Sequence, residues 1–114
     1  MESAPVLIIL VEDDDGHANL VERNLRRAGV SNAIQRLVDG QDAIDFLQGR
    51  GAHSGRNPAQ PILLLLDIRM PRVDGTEVLR FVKSNPQTAL VPVIVPSAFC
   101  VTVIVTAAIS VLLL

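Results

Sequence analysis

Aromatic residues are nearly missing from this sequence, which has no tryptophan, no tyrosine and three phenylalanines among 114 residues. Hydrophobic residues nevertheless make up 49% of the chain. Any core must therefore be built from aliphatic side chains, and the length suits one domain and not two.

Cysteine and positive charge are scarce as well. Cys100 is the only cysteine, so no disulfide can form within the chain. The formal net charge is −2 and no basic run occurs, which argues against nucleic acid as a partner. The N-terminal residues lack the basic start and the cleavage site of a secretory signal, and we expect a cytoplasmic protein.

Charge is absent from the whole C-terminal part, since no charged residue follows Lys83. The charged part has the composition of an ordinary α/β protein, whereas residues 89–114 are almost entirely apolar. We therefore divide the chain into an incomplete main domain over residues 1–98 and an atypical hydrophobic tail over residues 99–114.

Short apolar runs predict four β-strands, and patterns with helical spacing separate the first three and follow the third. Asp15 begins the first helical pattern and Gly29 ends it, Asp39 is placed to cap the second, and Thr76 begins the third. Such alternation predicts parallel strands joined by right-handed crossovers. The strand candidates cover residues 6–11, 33–38, 61–66 and 92–95.

Acidic residues follow two of these strands. Glu12 and Asp13 come directly after the first strand and Asp67 directly after the third. Either group alone is typical of a solvated turn or a helix start. If the two strands are neighbours, however, the carboxylates converge, and Mg²⁺ with its preference for oxygen ligands would offset their repulsion. His17 and His53 lack ligand spacing, and we expect both to be solvated surface residues.

A carboxylate beside a divalent cation can attack a phosphoryl group. In this interpretation Asp67 is the nucleophile and Asp13 the chief metal ligand. Glu12 acts directly or through water, and the main-chain carbonyl of Arg69 is a further ligand. A phosphatase that uses a carboxylate nucleophile in the manner of haloacid dehalogenases would need an aspartate at position 69, so that alternative is disfavoured.

Three segments resemble the receiver domain of two-component response regulators. Residues 63–75 resemble its signature, in which an apolar strand leads into D-x-x-M-P-x-x-D-G. Residues 8–14 resemble its first strand and acidic pair, and residues 38–43 the start of its second helix. The resemblance covers residues 6–95 and extends, more weakly, to stand-alone regulators that act with phytochrome-type kinases.

The resemblance implies a flavodoxin-like doubly wound parallel sheet with strand order 2-1-3-4-5, incomplete at the C-terminal end. It also implies that a sensor histidine kinase phosphorylates Asp67 in the presence of Mg²⁺, so that the chain accepts a phosphoryl group and is not an enzyme in the usual sense. The output partner is an unknown protein, and a homodimer is one possible oligomeric state.

Two features depart from the family. Ser97 stands where the family has a switch hydroxyl, although Pro96 just before it makes an ordinary loop residue an equal alternative. The family also has a lysine after its fifth strand, and no lysine follows Lys83 here. A pseudo-receiver or truncated fragment that acts only by binding proteins is therefore the alternative function.

The tail allows three interpretations, which the sequence does not separate. Its abrupt loss of charge suits a changed reading frame or a truncation. Its apolar length exceeds the ~20 residues that span a bilayer, but Pro92, Pro96 and the absence of flanking cations argue against a membrane segment. Residues 101–106 have the composition of a rearranged strand.

Overall fold

The computed structural model describes residues 5–66 and 75–94. Within them four strands and three helices follow one another along the chain in the order β1-α1-β2-α2-β3-α3-β4. Their bounds are Leu7–Val11 for β1, Asp15–Arg27 for α1, Ile34–Leu37 for β2, Gly40–Gln48 for α2, Ile62–Leu66 for β3, Gly75–Ser84 for α3 and Val93–Ile94 for β4.

The strands form one parallel sheet in the order β2-β1-β3-β4. This agrees with the first four positions of the predicted order 2-1-3-4-5, and the α/β fold class is confirmed. The place of a fifth strand and the tail over residues 99–114 lie outside the described residues, so the division at residue 98 stays a prediction.

Both faces of the sheet are covered by helices, which explains why β1 and β3 are continuous apolar runs. Alternate residues of each strand point to opposite faces, and the core accordingly divides into two clusters. One cluster packs Ile8 and Leu63 against the apolar stripe of α1, and the other packs Ile9 and Leu64 against α2 and α3. The sheet is thus wound on both sides, and β1 and β3 are fixed as its buried centre.

The ends of α1 and α2 follow the capping residues that the sequence supplies. The carboxylate of Asp39 accepts a hydrogen bond of 2.8 Å from the backbone N–H of Asp42 and so caps α2, as predicted. Gly29, just beyond α1, has φ 94°, a left-handed conformation that glycine adopts without the usual steric cost. These local signals set the start of α2 and the end of α1. Since β1 ends at Val11 and α1 begins at Asp15, the acids between them lie at the carboxyl end of β1.

Candidate functional site

Glu12 and Asp13 leave the carboxyl end of β1 in very different environments. The backbone N–H of Glu12 donates a 2.9 Å hydrogen bond to the carbonyl of Leu37, which extends the pairing of β1 with β2 by one residue. The side chain of Glu12 is only 2% exposed, whereas that of Asp13 is exposed. A buried carboxylate and an accessible one therefore stand side by side at this edge of the sheet.

The four consecutive acids have separate roles. Asp14 caps α1, because its carboxylate accepts a 2.7 Å hydrogen bond from the backbone N–H of His17. Asp15 pairs with Arg36, with 2.5 Å between Oδ1 and Nη1. Among the described residues, Asp13 alone of the four has neither a hydrogen bond nor an ion pair through its side chain. Asp13 is thus the accessible carboxylate whose charge is not already balanced by a described neighbour.

Two basic side chains hold Glu12. His17 contacts Oε1 of Glu12 through Nδ1, and because a carboxylate only accepts, Nδ1 is the donor. The Nε atom of Arg36 donates a 3.0 Å hydrogen bond to the backbone carbonyl of Glu12. The side chain and the main chain of Glu12 are therefore fixed by different neighbours.

The expectation that both histidines are solvated surface residues is wrong. The side chain of His17 is 27% exposed, and that of His53 is 13% exposed with its Nε2 2.7 Å from Oδ1 of Asp42. His53 also packs edge-to-face on Phe46, with ring centroids 5.4 Å apart. A short 3₁₀ helix, Gly51–His53, brings this ring back onto α2 within a loop whose sequence indicates only turns.

Arg36 is a further residue that the sequence interpretation missed. It belongs to β2 and lies 24 residues from Glu12 in the chain, so no local spacing connects the two. The one sequence signal is that Arg36 is a basic residue inside a predicted strand. That strand is expected to lie beside the first strand, which leads into Glu12 and Asp13.

The remaining predicted site residues, Asp67, Arg69 and Ser97, lie outside the described residues. β3 ends at Leu66, the residue before Asp67 in sequence, and Leu66 pairs in register with Val11, the residue before Glu12. The neighbouring positions of β1 and β3, on which the predicted convergence of carboxylates depends, are therefore observed. Within residues 5–66 and 75–94 no three metal-binding side chains form a cluster.

The two described carboxylates have the chemistry that Mg²⁺ requires. Mg²⁺ takes oxygen ligands, commonly one or two carboxylates, and keeps several waters. Asp13 is accessible from solvent, and Glu12 adds a second carboxylate beside it. The chemistry of these two carboxylates therefore fits a magnesium ion.

Comparison with known proteins now decides the family. A model of the response regulator receiver domain matches residues 8–111. This chain belongs to the response regulator receiver family. The response regulator Rcp1 of Synechocystis is 38% identical over 91 residues, a match that covers 80% of the receiver chain and 60% of Rcp1.

Solved structures agree with this assignment. The bacteriophytochrome response regulator AtBRR has a TM-score of 0.77 at 32% identity, covering 82% of this receiver and 66% of that chain. The Mn²⁺-bound form of Rcp1 has a TM-score of 0.71 at 36% identity, covering 80% and 64%. The resemblance to the stand-alone regulators associated with phytochromes is thereby confirmed, although the receiver spans only about three fifths of the length of its curated relatives.

The described helices α1, α2 and α3 have 13, 9 and 10 residues. None within residues 5–66 and 75–94 combines the length and the apolar character that crossing a bilayer would need.

Proposed function

We propose that this receiver accepts a phosphoryl group on Asp67 from a sensor histidine kinase, in the presence of Mg²⁺. The observation that carries the proposal is the register of β1 with β3, in which Val11 pairs with Leu66. In sequence, Glu12 follows Val11 and Asp67 follows Leu66. Ligands of open parallel sheets bind at the carboxyl ends of the strands.

The chemistry assigns a task to each residue. An oxygen of Asp67 bonds to phosphorus while the bond from phosphorus to the kinase histidine nitrogen breaks, and that nitrogen keeps the electron pair. Asp13 and Glu12 would hold Mg²⁺ together with Asp67 and the backbone carbonyl of Arg69. The ion would supply neutralisation of charge on the transferred group. The hydroxyl of Ser97 is the candidate for sensing the phosphoryl group.

Named relatives support the cation, the modification and the partner. One solved neighbour is the Mn²⁺-bound form of Rcp1, and another, at 34% identity and a TM-score of 0.72, is the phosphorylated cyanobacterial phytochrome response regulator RcpA. A kinase of the phytochrome type is therefore the partner class we propose. In this role the chain is a phosphoprotein of the cytoplasm that signals through protein contacts, and it turns over no substrate beyond its own phosphoryl group.

One observation favours a second candidate, a pseudo-receiver that works only by binding. Pro96 stands directly before Ser97, the candidate switch hydroxyl, and proline is rarely found inside a central strand. In this alternative the acidic end of the sheet still binds proteins or cations, but phosphorylation and switching are lost.

Phosphotransfer from a small donor separates the two candidates. The protein is incubated with Mg²⁺ and acetyl phosphate, and its intact mass is measured with the fold checked by circular dichroism. We expect one acid-labile phosphoryl group, which is lost in Asp67→Asn. Asp42→Asn is the matched control and should be phosphorylated normally, because Asp42 bonds His53 and not the site. A folded wild-type protein that gains no mass would exclude the acceptor function and leave the binding function.

A further inference from the structure

His17 is a residue that no pattern in the sequence marks as part of the site. It occupies the first turn of α1, and its Nδ1 contacts Oε1 of Glu12 across the junction between strand and helix. About a quarter of its side chain is exposed, and its second ring nitrogen, Nε2, is buried without a hydrogen-bond partner among the described residues. The contact with Glu12 is thus the polar contact that the described residues show for this ring.

Burying the carboxylate of Glu12 costs free energy unless it has partners. Glu12 is 2% exposed, and a carboxylate removed from water to this extent needs charged or hydrogen-bonding partners. The donor at Nδ1 is one such partner, and it also fixes which way the carboxylate is turned. A carboxylate that is already fixed loses less conformational freedom when a cation, or a water on that cation, binds to it.

Arg36 adds a second restraint on the same residue. Its Nε holds the backbone carbonyl of Glu12 at 3.0 Å while its Nη1 pairs with Asp15. A residue of β2 therefore restrains the main chain at the end of β1. The contact of His17 with Oε1 restrains the carboxylate of the same residue, which the bond from Arg36 to the main chain does not touch.

We propose that His17 is a positioning residue for the metal site, which acts by holding the carboxylate of Glu12 in the orientation that a divalent cation requires. This inference rests on the proposed function, because it assumes that Glu12 serves the cation. Hydrogen-bond partners of metal-binding carboxylates commonly contribute 10–100-fold to metal affinity. His17 is absent from the predicted ligand set, and here it acts through Glu12 without binding the metal itself.

Three substitutions at this position separate the hydrogen bond from mere packing. His17→Asn keeps a nitrogen donor attached to Cγ, as Nδ1 is in histidine. His17→Leu keeps bulk and removes the donor, and His17→Gln keeps an amide but moves it one carbon further out. Mn²⁺ is the probe, and its binding is followed by the loss of the free-ion signal in electron paramagnetic resonance at one fixed pH. Thermal unfolding without metal reports whether each variant folds.

We expect His17→Leu and His17→Gln to weaken Mn²⁺ binding by roughly 10–100-fold and His17→Asn to stay within about threefold of wild type. Where the leucine variant fails to fold, the glutamine variant carries the comparison. Equal affinity in all variants, or an asparagine variant as weak as the leucine variant, would overturn the role of His17 alone. A folded wild-type protein that binds no Mn²⁺ would instead overturn the metal site of the proposed function, and this inference with it.

Discussion

Two histidine–carboxylate contacts occur among the described residues of this receiver, and they lie in different settings. His17 contacts Glu12, a side chain that is 2% exposed at the carboxyl end of β1, beside the unpaired Asp13. His53 contacts Asp42, whose side chain is 31% exposed on α2, and its ring also packs on Phe46. A histidine–carboxylate contact thus holds the buried Glu12 in one place and attaches the loop of His53 to α2 in the other.

The surroundings determine what each contact can do. Near Glu12, Arg36 holds the backbone carbonyl at the end of β1, and His17 contacts the carboxylate that we propose for the cation site. Near Asp42, the guanidinium of Arg56 lies 4.6 Å from the centre of the Phe46 ring, and the group forms a small cluster that ties the loop before β3 to α2. We therefore expect substitution of Asp13 or His17 to change metal affinity and substitution of His53 to change stability.

The largest expected effect is that of Asp13→Asn on cation binding. Asp13 is the exposed carboxylate without a described partner, so its charge is available to an ion, and we expect Mn²⁺ affinity to fall by roughly 100-fold. Asp14→Asn is the matched control, because asparagine caps a helix about as well as aspartate does. Both affinities are measured by paramagnetic resonance titration. An equal loss in the two variants would mean that only the total charge of the acidic run matters.

Next in size is the loss of stability expected for His53→Ala. The variant loses a hydrogen bond to Asp42 and an edge-to-face ring contact, which together contribute about 2 kcal/mol. Urea unfolding measures the change in free energy, and the Mn²⁺ affinity of the same variant should be unaltered. A variant with wild-type stability but weakened cation binding would reverse the distinction between the two settings.

The sequence predicted the elements of the fold well because the signals are local. The apolar runs of β1 and β3, the cap at Asp39 and the stop at Gly29 depend on residues close together in the chain, and all are observed. The strand order also follows the family resemblance as far as β4.

The partners of the acids could not be predicted in this way. The contact of Arg36 with the carbonyl of Glu12 spans 24 residues and exists only because β2 pairs with β1. The contact between Glu12 and His17 crosses from strand to helix, so helical spacing does not indicate it. The contact between His53 and Asp42 depends on a 3₁₀ helix within a loop. Asp67 lies outside the described residues, and its place beside Glu12 and Asp13 stays a prediction.

A double-mutant cycle sharpens the interpretation of the loop cluster. With Asp42→Ala and His53→Ala we expect a coupling free energy of about 1 kcal/mol, since the two side chains share one hydrogen bond. The control cycle combines Asp45→Ala with His53→Ala. Asp45 pairs with Arg50 at 3.4 Å and is not bonded to His53. Unfolding in urea gives all the required values. Coupling of the same size in both cycles would indicate a general charge effect and not a specific contact.

The smallest expected effect belongs to Arg56→Met, and its smallness follows from two opposed contributions. Burial lowers the pKa of the Arg56 guanidinium, which means that folding disfavours its charged form. Methionine removes that cost and keeps an apolar stem, but it also removes the attraction between the guanidinium and the Phe46 ring, which is about 0.5–1 kcal/mol. We expect a net change in unfolding free energy within about 0.5 kcal/mol.

The sign of the shift also predicts how this variant depends on pH. A base whose pKa is lowered by folding is destabilising while it is charged, and this cost falls away only as the pH rises from the lowered folded pKa to the unfolded pKa. Arginine is charged throughout the neutral range, so the change should be the same at pH 6 and pH 8. Arg36→Met is the matched control. Arg36 donates to the carbonyl of Glu12 and pairs with Asp15, and its loss should cost at least about 1 kcal/mol. If Arg56→Met were the more destabilising of the two, the guanidinium of Arg56 in the loop cluster would stabilise the fold more than that of Arg36 at the strand end.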